Sequence, residues 1–193
     1  MSSTLNEVVW ESSLDAAEHR AAAERLAVLV DFSAAPTCKG CVAMELETYP
    51  DPRVAEFIAG HFVPARLKIR EKQAIATEYL VSWTPNIIIA DRRGRVHHRI
   101  EGYLPPIDFI AQLSLGEGKY FLNLLRFADA AVRFEEVAQR HPGTEAAAQA
   151  LYWLGVAHFK ESHDEEELQM SWQRVAHEYP ESEWAQRTRI PQR

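Results

Sequence analysis

Apolar residues come first in short runs and later in helical stripes. Leu26-Ala27-Val28-Leu29-Val30-Asp31-Phe32 is apolar without alternation, the pattern of a strand covered on both faces. Ahead of it, Val8-Val9-Trp10 predicts a short strand. Ser13 then suits the N-cap of an Ala- and Glu-rich helix from Leu14 to about Arg25. Behind the run, Ser33 to Thr37 reads as a loop. A helix can begin at Cys38 and reach about Thr48, with Pro50 blocking its continuation. Asp51 caps the next helix, Pro52 opens it, and Val54, Phe57 and Ile58 share one face. Phe62 to Ile69 alternates roughly as a strand does, and Gln73 to Leu80 suits a short helix. Asn86 to Ala90 is a strand, Asp91-Arg92-Arg93-Gly94 a hairpin turn, and Arg95 to Ile100 the returning strand. Pro105-Pro106 opens a further helix expected to end near Leu113.

The pattern changes at Leu115-Gly116-Glu117-Gly118, and the remainder reads as helix. Phe121, Leu124, Leu125, Ala128, Val132 and Val137 recur at helical spacing. A domain boundary is therefore expected near residue 117, giving units 1–117 and 118–193. The second contains a weak repeat, in which the stretch from Phe134 to Ala147 returns as Trp172 to Ala185, a shift of 38 residues. Each copy ends a helix before a Pro and restarts with a Thr or Ser cap followed by Glu. This pattern resembles tetratricopeptide-like repeats, in which helices stack side by side. Only about one and a half repeats fit, too few for a free-standing solenoid. The tail is expected to lean on the first domain, on a second copy or on a protein partner.

Composition narrows the field. The 193 residues are 47% hydrophobic and 25% charged, a globular balance. A net charge of −7 argues against a nucleic-acid binder. Apolar runs such as Leu26 to Val30 are too short to cross a bilayer, so no membrane partner is expected. Met1 to Glu7 shows neither a basic start nor an apolar stretch, which leads to an expected cytoplasmic location with a reducing poise.

The two cysteines, Cys38 and Cys41, stand in C-x-x-C spacing. A pair excludes both a disulfide framework and a four-cysteine zinc site, but half of a zinc site shared between two subunits has the same spacing. A thiolate is the attacking species in disulfide exchange. A helix start supplies unpaired N–H groups, and Lys39 adds positive charge, both of which favour a thiolate at Cys38. Cys41 is close enough along the chain to close a disulfide with it. Asp31 is open to two readings, a satisfied buried polar group or a proton-transfer acid. His97-His98 would point to opposite faces of a strand, a poor start for a metal site. Asp164-Glu165-Glu166-Glu167 reads as a solvated helix start. Trp153, Phe159, Trp172, Tyr179 and Trp184 read as packing between helices.

The pair follows a buried strand and opens a helix. Together with Val28-Leu29-Val30-Asp31-Phe32, Trp83-Thr84-Pro85-Asn86-Ile87-Ile88-Ile89, the Asp91 to Val96 turn and Gly102-Tyr103, it resembles the thioredoxin family over roughly Val8 to Leu115. The resemblance implies an α/β thioredoxin-like fold, a central mixed sheet flanked by helices, followed here by the all-α tetratricopeptide-like tail. It implies Cys38 as nucleophile, Cys41 as resolving thiol and Asp31 as the acid serving Cys41. It puts Arg66 where relatives carry a Lys, and makes Lys39 and Arg66 tuning residues. Pro85 would be cis, with the Thr84 backbone pairing with an extended substrate and Trp83, Gly102 and Tyr103 lining the groove. Four departures mark a divergent branch: a loop from Asp31 to Cys38 one residue longer than usual, Thr37 before the first cysteine, Lys-Gly between the cysteines, and Val81-Ser82-Trp83-Thr84-Pro85-Asn86 in place of the usual Ile-Pro-Thr end.

The expected activity is thiol–disulfide exchange on protein disulfides, in the reducing direction. No cofactor or metal is expected, because the cysteine pair carries both electrons. An electron-donating reductase would have to regenerate it. The alternatives are a non-catalytic adaptor, with the thioredoxin fold as scaffold and the tail recruiting partners, and an oxidase or isomerase.

Overall fold

A computed structural model describes residues 7–189. The reading of the N-terminal residues Met1 to Asn6 lies outside the described part. The chain divides into two compact units, residues 1–110 and 111–193.

In the first unit, Ser13 caps helix α1 (Leu14–Glu24) by accepting the Ala16 N–H, and Arg25 ends it in the left-handed region. Strand β1 (Ala27–Ser33) follows, with all seven residues buried. Helix α2 (Lys39–Ala43) runs into a π-helical turn (Met44–Thr48), so the helix reaches the predicted end with a widened second half. Asp51 caps α3 (Pro52–His61), which leads to β2 (Phe62–Lys68). Helix α4 (Gln73–Glu78) precedes β3 (Asn86–Ala90) and β4 (Val96–Glu101).

The sheet order is β2-β1-β3-β4. β1 runs parallel to β2 and antiparallel to β3, and β3 is antiparallel to β4. The apolar run from Val28 to Phe32 thus lies between two partner strands. Val28, Val30 and Phe32 face a core built with Ala17, Ala21, Ala76 and Tyr79. Asp31 alternates to the other face. A register shift between Ile89 and Ala90 leaves His97 as the extra residue of β4. Among the described residues no group of three or more His, Cys, Asp or Glu could hold a metal.

Two expectations need correction here. Val8 to Trp10 is not a strand; next to it Glu11 makes an isolated bridge to Ala65, its N–H donating to the Pro64 carbonyl at 2.8 Å. A segment that short cannot build a ladder. The helix expected to stop near Leu113 continues as α5 (Pro106–Asn123), through Gly116 and Gly118. Glycine weakens a helix, but here it serves packing. A Cβ on Gly118 would lie 2.5 Å from the Phe134 ring.

The second unit continues as α6 (Phe127–Arg140), α7 (Glu145–Ser162), α8 (Glu165–Glu178) and α9 (Glu183–Arg187). Its core joins Phe134, Val137, Leu151, Leu154, Val175 and Ala185. Gly155 lets α8 approach α7, since a Cβ there would meet Ser171 Cβ at 2.9 Å. Tyr152 stacks on Trp172 and packs against Trp184. Asp164 caps α8 by accepting the Glu166 N–H. Leu125 and Val132, placed on the predicted apolar stripe, are exposed. Leu125 sits at positive φ between α5 and α6, where the helical period is interrupted. Among the described residues no helix is long and apolar enough to cross a membrane.

Candidate active site

The end of β1 and the start of α2 set the cysteines in place. The chain leaves the sheet at Ser33, crosses a loop containing a cis Ala35–Pro36 bond, and turns into α2. Cys38 is the N-cap of that helix, and its Sγ accepts the Cys41 N–H at 3.1 Å. The Ala34 N–H donates to Cys41 Sγ at 3.4 Å. Cys38 and Cys41 are joined as a disulfide. Cys38 is half-buried, whereas Cys41 is only 1% exposed. An incoming disulfide can therefore meet the first sulfur and not the second.

A second loop forms the opposite wall. The Thr84–Pro85 bond is cis, and the Thr84 carbonyl oxygen lies 3.3 Å from Cys38 Sγ. Gly102, at φ 88°, donates its N–H to the Pro85 carbonyl at 2.9 Å, so the β4 end fixes the proline. Gly40 faces the same ring. A Cβ there would lie 2.9 Å from Pro85 Cδ and 3.7 Å from Tyr103 Cβ. The Tyr103 hydroxyl donates to Glu47 at 2.7 Å. Trp83 is 70% exposed on the loop leading to Thr84. Thr84 is thus brought to Cys38, and Pro85 and Tyr103 to Gly40, with Gly102 holding Pro85 from behind, while Trp83 and Lys39 are exposed. Arg70, from the segment after β2, donates to Thr37 beside Cys38 at 3.4 Å.

Asp31 and Arg66 are register partners on the parallel strands β1 and β2. Register places their side chains on one face, and Arg66 Nε donates to Asp31 Oδ2 at 2.8 Å. Asp31 is 2% exposed. Burial pushes its carboxyl above the usual carboxylate range, because the charged form loses water; the Arg66 guanidinium pulls it back only in part. Tyr49 lies close enough to act on the same acid, but its hydroxyl and Asp31 Oδ1 both stop short of a hydrogen bond. Burial, then the Asp31 charge, holds the Tyr49 phenol well above its ordinary value. Glu45 approaches Arg66 Nη1 at 3.5 Å.

Gly40, Tyr49, Glu45, Glu47 and Trp10 were not identified from the sequence. The three from the π-helical turn and its end could not be placed, because a helical period of 3.6 misaligns a π turn. Gly40 stood in plain view as a glycine inside a helix start, where a close neighbour is the usual reason for its presence.

Residues 14–116, more than half the chain, match the family model of the thioredoxin-like domain. A search of curated proteins finds no match. Among solved structures, a thioredoxin from Thermus thermophilus is 26% identical with a TM-score of 0.50, covering 55% of this chain and 85% of that one. An oxidoreductase named DsbH is 13% identical with a TM-score of 0.54, covering 59% of this chain and 87% of that one, a likeness of fold. With the sheet order, the loop facing the cysteines and the family match in agreement, the chain belongs to the thioredoxin-like family and carries the C-x-x-C pair of a thiol–disulfide oxidoreductase.

Proposed function

We propose that the protein reduces disulfides in protein substrates. The observation that carries this reading is the asymmetry of the pair, with Cys38 accessible at a helix start and Cys41 buried behind it. The reduced Cys38 thiolate attacks one substrate sulfur, the substrate S–S bond breaks, and the second substrate sulfur leaves as a thiolate. Cys41 then attacks Cys38 Sγ. That forms the Cys38–Cys41 disulfide and releases the first substrate sulfur as a thiolate. Two electrons pass to the substrate. Asp31 accepts the Cys41 proton, a role suited to a carboxyl that burial raises above the usual range. Thr84 and Pro85 hold the substrate backbone, with Trp83, Gly102 and Tyr103 as groove wall. Lys39 and Arg66 tune the thiol and the acid. The electrons return from a separate dithiol reductase, and the reducing direction fits a cytoplasmic setting.

The second reading, an adaptor, draws on the helical unit. An open groove of about 600 Å³ there is lined by Phe127, Ala128, Ala131, Val132 and Leu154, and it could seat a protein segment. Insulin reduction with the wild type and Cys38→Ser separates the two. The reductase reading expects turnover that the serine variant loses. No turnover by either protein leaves the adaptor. A reduction potential well above about −200 mV would point instead to an oxidase or isomerase.

A further inference from the structure

The Arg66 guanidinium is held by more than its salt bridge. Its Cζ lies 4.1 Å from the centre of the Trp10 ring and 4.6 Å from that of Tyr49. The two rings meet edge to face, 5.0 Å apart at 86°. A cation so close to two aromatic faces is attracted by both. Each ring is itself anchored. Glu11, next to Trp10, is tied to β2 through Pro64 at 2.8 Å and to α1 through Arg20 at 2.7 Å. Tyr49 closes the π-helical turn, its N–H donating to the Met44 carbonyl, and it is 5% exposed. The π turn carries both Glu45 and Tyr49 to Arg66.

We propose that Trp10 and Tyr49 are positioning residues that clamp Arg66 on Asp31, and so set the protonation of the acid behind the cysteine pair. The relevance to catalysis rests on the reductase reading above; the clamp itself does not. The groups facing Asp31 are Arg66 from β2, and Tyr49 and Glu45 from the helical turn. Its register neighbour on β3, Ile87, is apolar. Arg66 is the single cation among them. If it swings toward water, nothing else there favours the carboxylate except the weak influence of Tyr49. Asp31 would then hold its proton to higher pH, so below that midpoint fewer molecules would carry the carboxylate that takes the Cys41 proton.

The test is a carbon-13 NMR titration of the Asp31 carboxyl in the full-length oxidised protein. Trp10→Leu keeps apolar bulk and removes the ring, and should raise the Asp31 midpoint by about half a unit or more. Trp10→Phe keeps a ring face and should stay near the wild type. A folded Leu variant with an unmoved midpoint, or equal shifts in both variants, overturns the clamp. Should the Leu variant fail to fold, the unaltered protein still decides. The Arg66 side-chain protons should show upfield ring-current shifts, and ordinary arginine shifts overturn the proposal. Neither readout needs thiol exchange, so a failed reductase assay and a failed clamp are distinguishable. If both hold, the pH midpoint of insulin reduction rises with that of Asp31 in Trp10→Leu.

Discussion

Gly40→Ala sets helix propensity against packing at the active site. Alanine is favoured over glycine inside a helix by about 0.8–1.0 kcal/mol, and by less in a first turn. Propensity alone therefore expects a small gain. The structure expects a loss, because the new Cβ would lie 2.9 Å from Pro85 Cδ and 3.6 Å from Cγ. Pro85 is buried, its ring is stiff, and its carbonyl is held by the Gly102 N–H at 2.9 Å. The gap must open by several tenths of an ångström against these restraints. Overpacking of this kind costs about 1–3 kcal/mol, so a net destabilisation of about 1–2 kcal/mol is expected. Denaturant unfolding of the oxidised protein measures it. Displacing Pro85 also moves the Thr84 carbonyl, which lies 3.3 Å from Cys38 Sγ. Exchange with a protein disulfide should slow by roughly tenfold, as misplacement at a reacting centre does. An alanine variant as stable as the parent and as fast would refute the packing account.

Asp31→Asn tests the buried acid through pH. The folded carboxyl sits above its unfolded value, so the fold binds the proton more tightly than the open chain. The contribution of Asp31 to stability should be fully present below the ordinary carboxylate range and be lost as pH rises toward the raised folded value. The slope is about 1.36 kcal/mol per unit for one proton. The Asn variant should lack this slope in unfolding curves at successive pH; parallel curves for the two proteins count against a raised Asp31. Gly118→Ala should destabilise the helical unit by about 1–2 kcal/mol in thermal or denaturant unfolding, since its Cβ would press on the fully buried Phe134 ring. Its rate with a small disulfide should be unchanged. A gain in stability would show that the ring yields.

The sheet was legible because its strands are extreme. Val28 to Phe32 and Asn86 to Ala90 are buried along their whole length, and short β-branched runs bounded by turn residues suit a covered strand. The caps at Ser13 and Asp51 were legible because each side chain bonds a backbone N–H a few residues on. The course of α5 was not, since Gly116 and Gly118 look like a break until Phe134 is seen beside the second. Family resemblance pointed to Asp31 and Arg66, and strand register explains why they meet. The rest of that network was hidden. Trp10 reaches it from an irregular segment, and Tyr49 from a π turn that no periodicity predicts.

Thiol–disulfide exchange through an attacking Cys38 and a resolving Cys41 is the central claim, and trapping tests it most directly. Reduced Cys41→Ser incubated with insulin should accumulate a mixed disulfide, mapped by mass spectrometry to Cys38, because the attack proceeds and the release cannot. Cys38→Ser should form little, since Cys41 is 1% exposed. A mixed disulfide that forms equally on both variants, or on neither, would contradict the account.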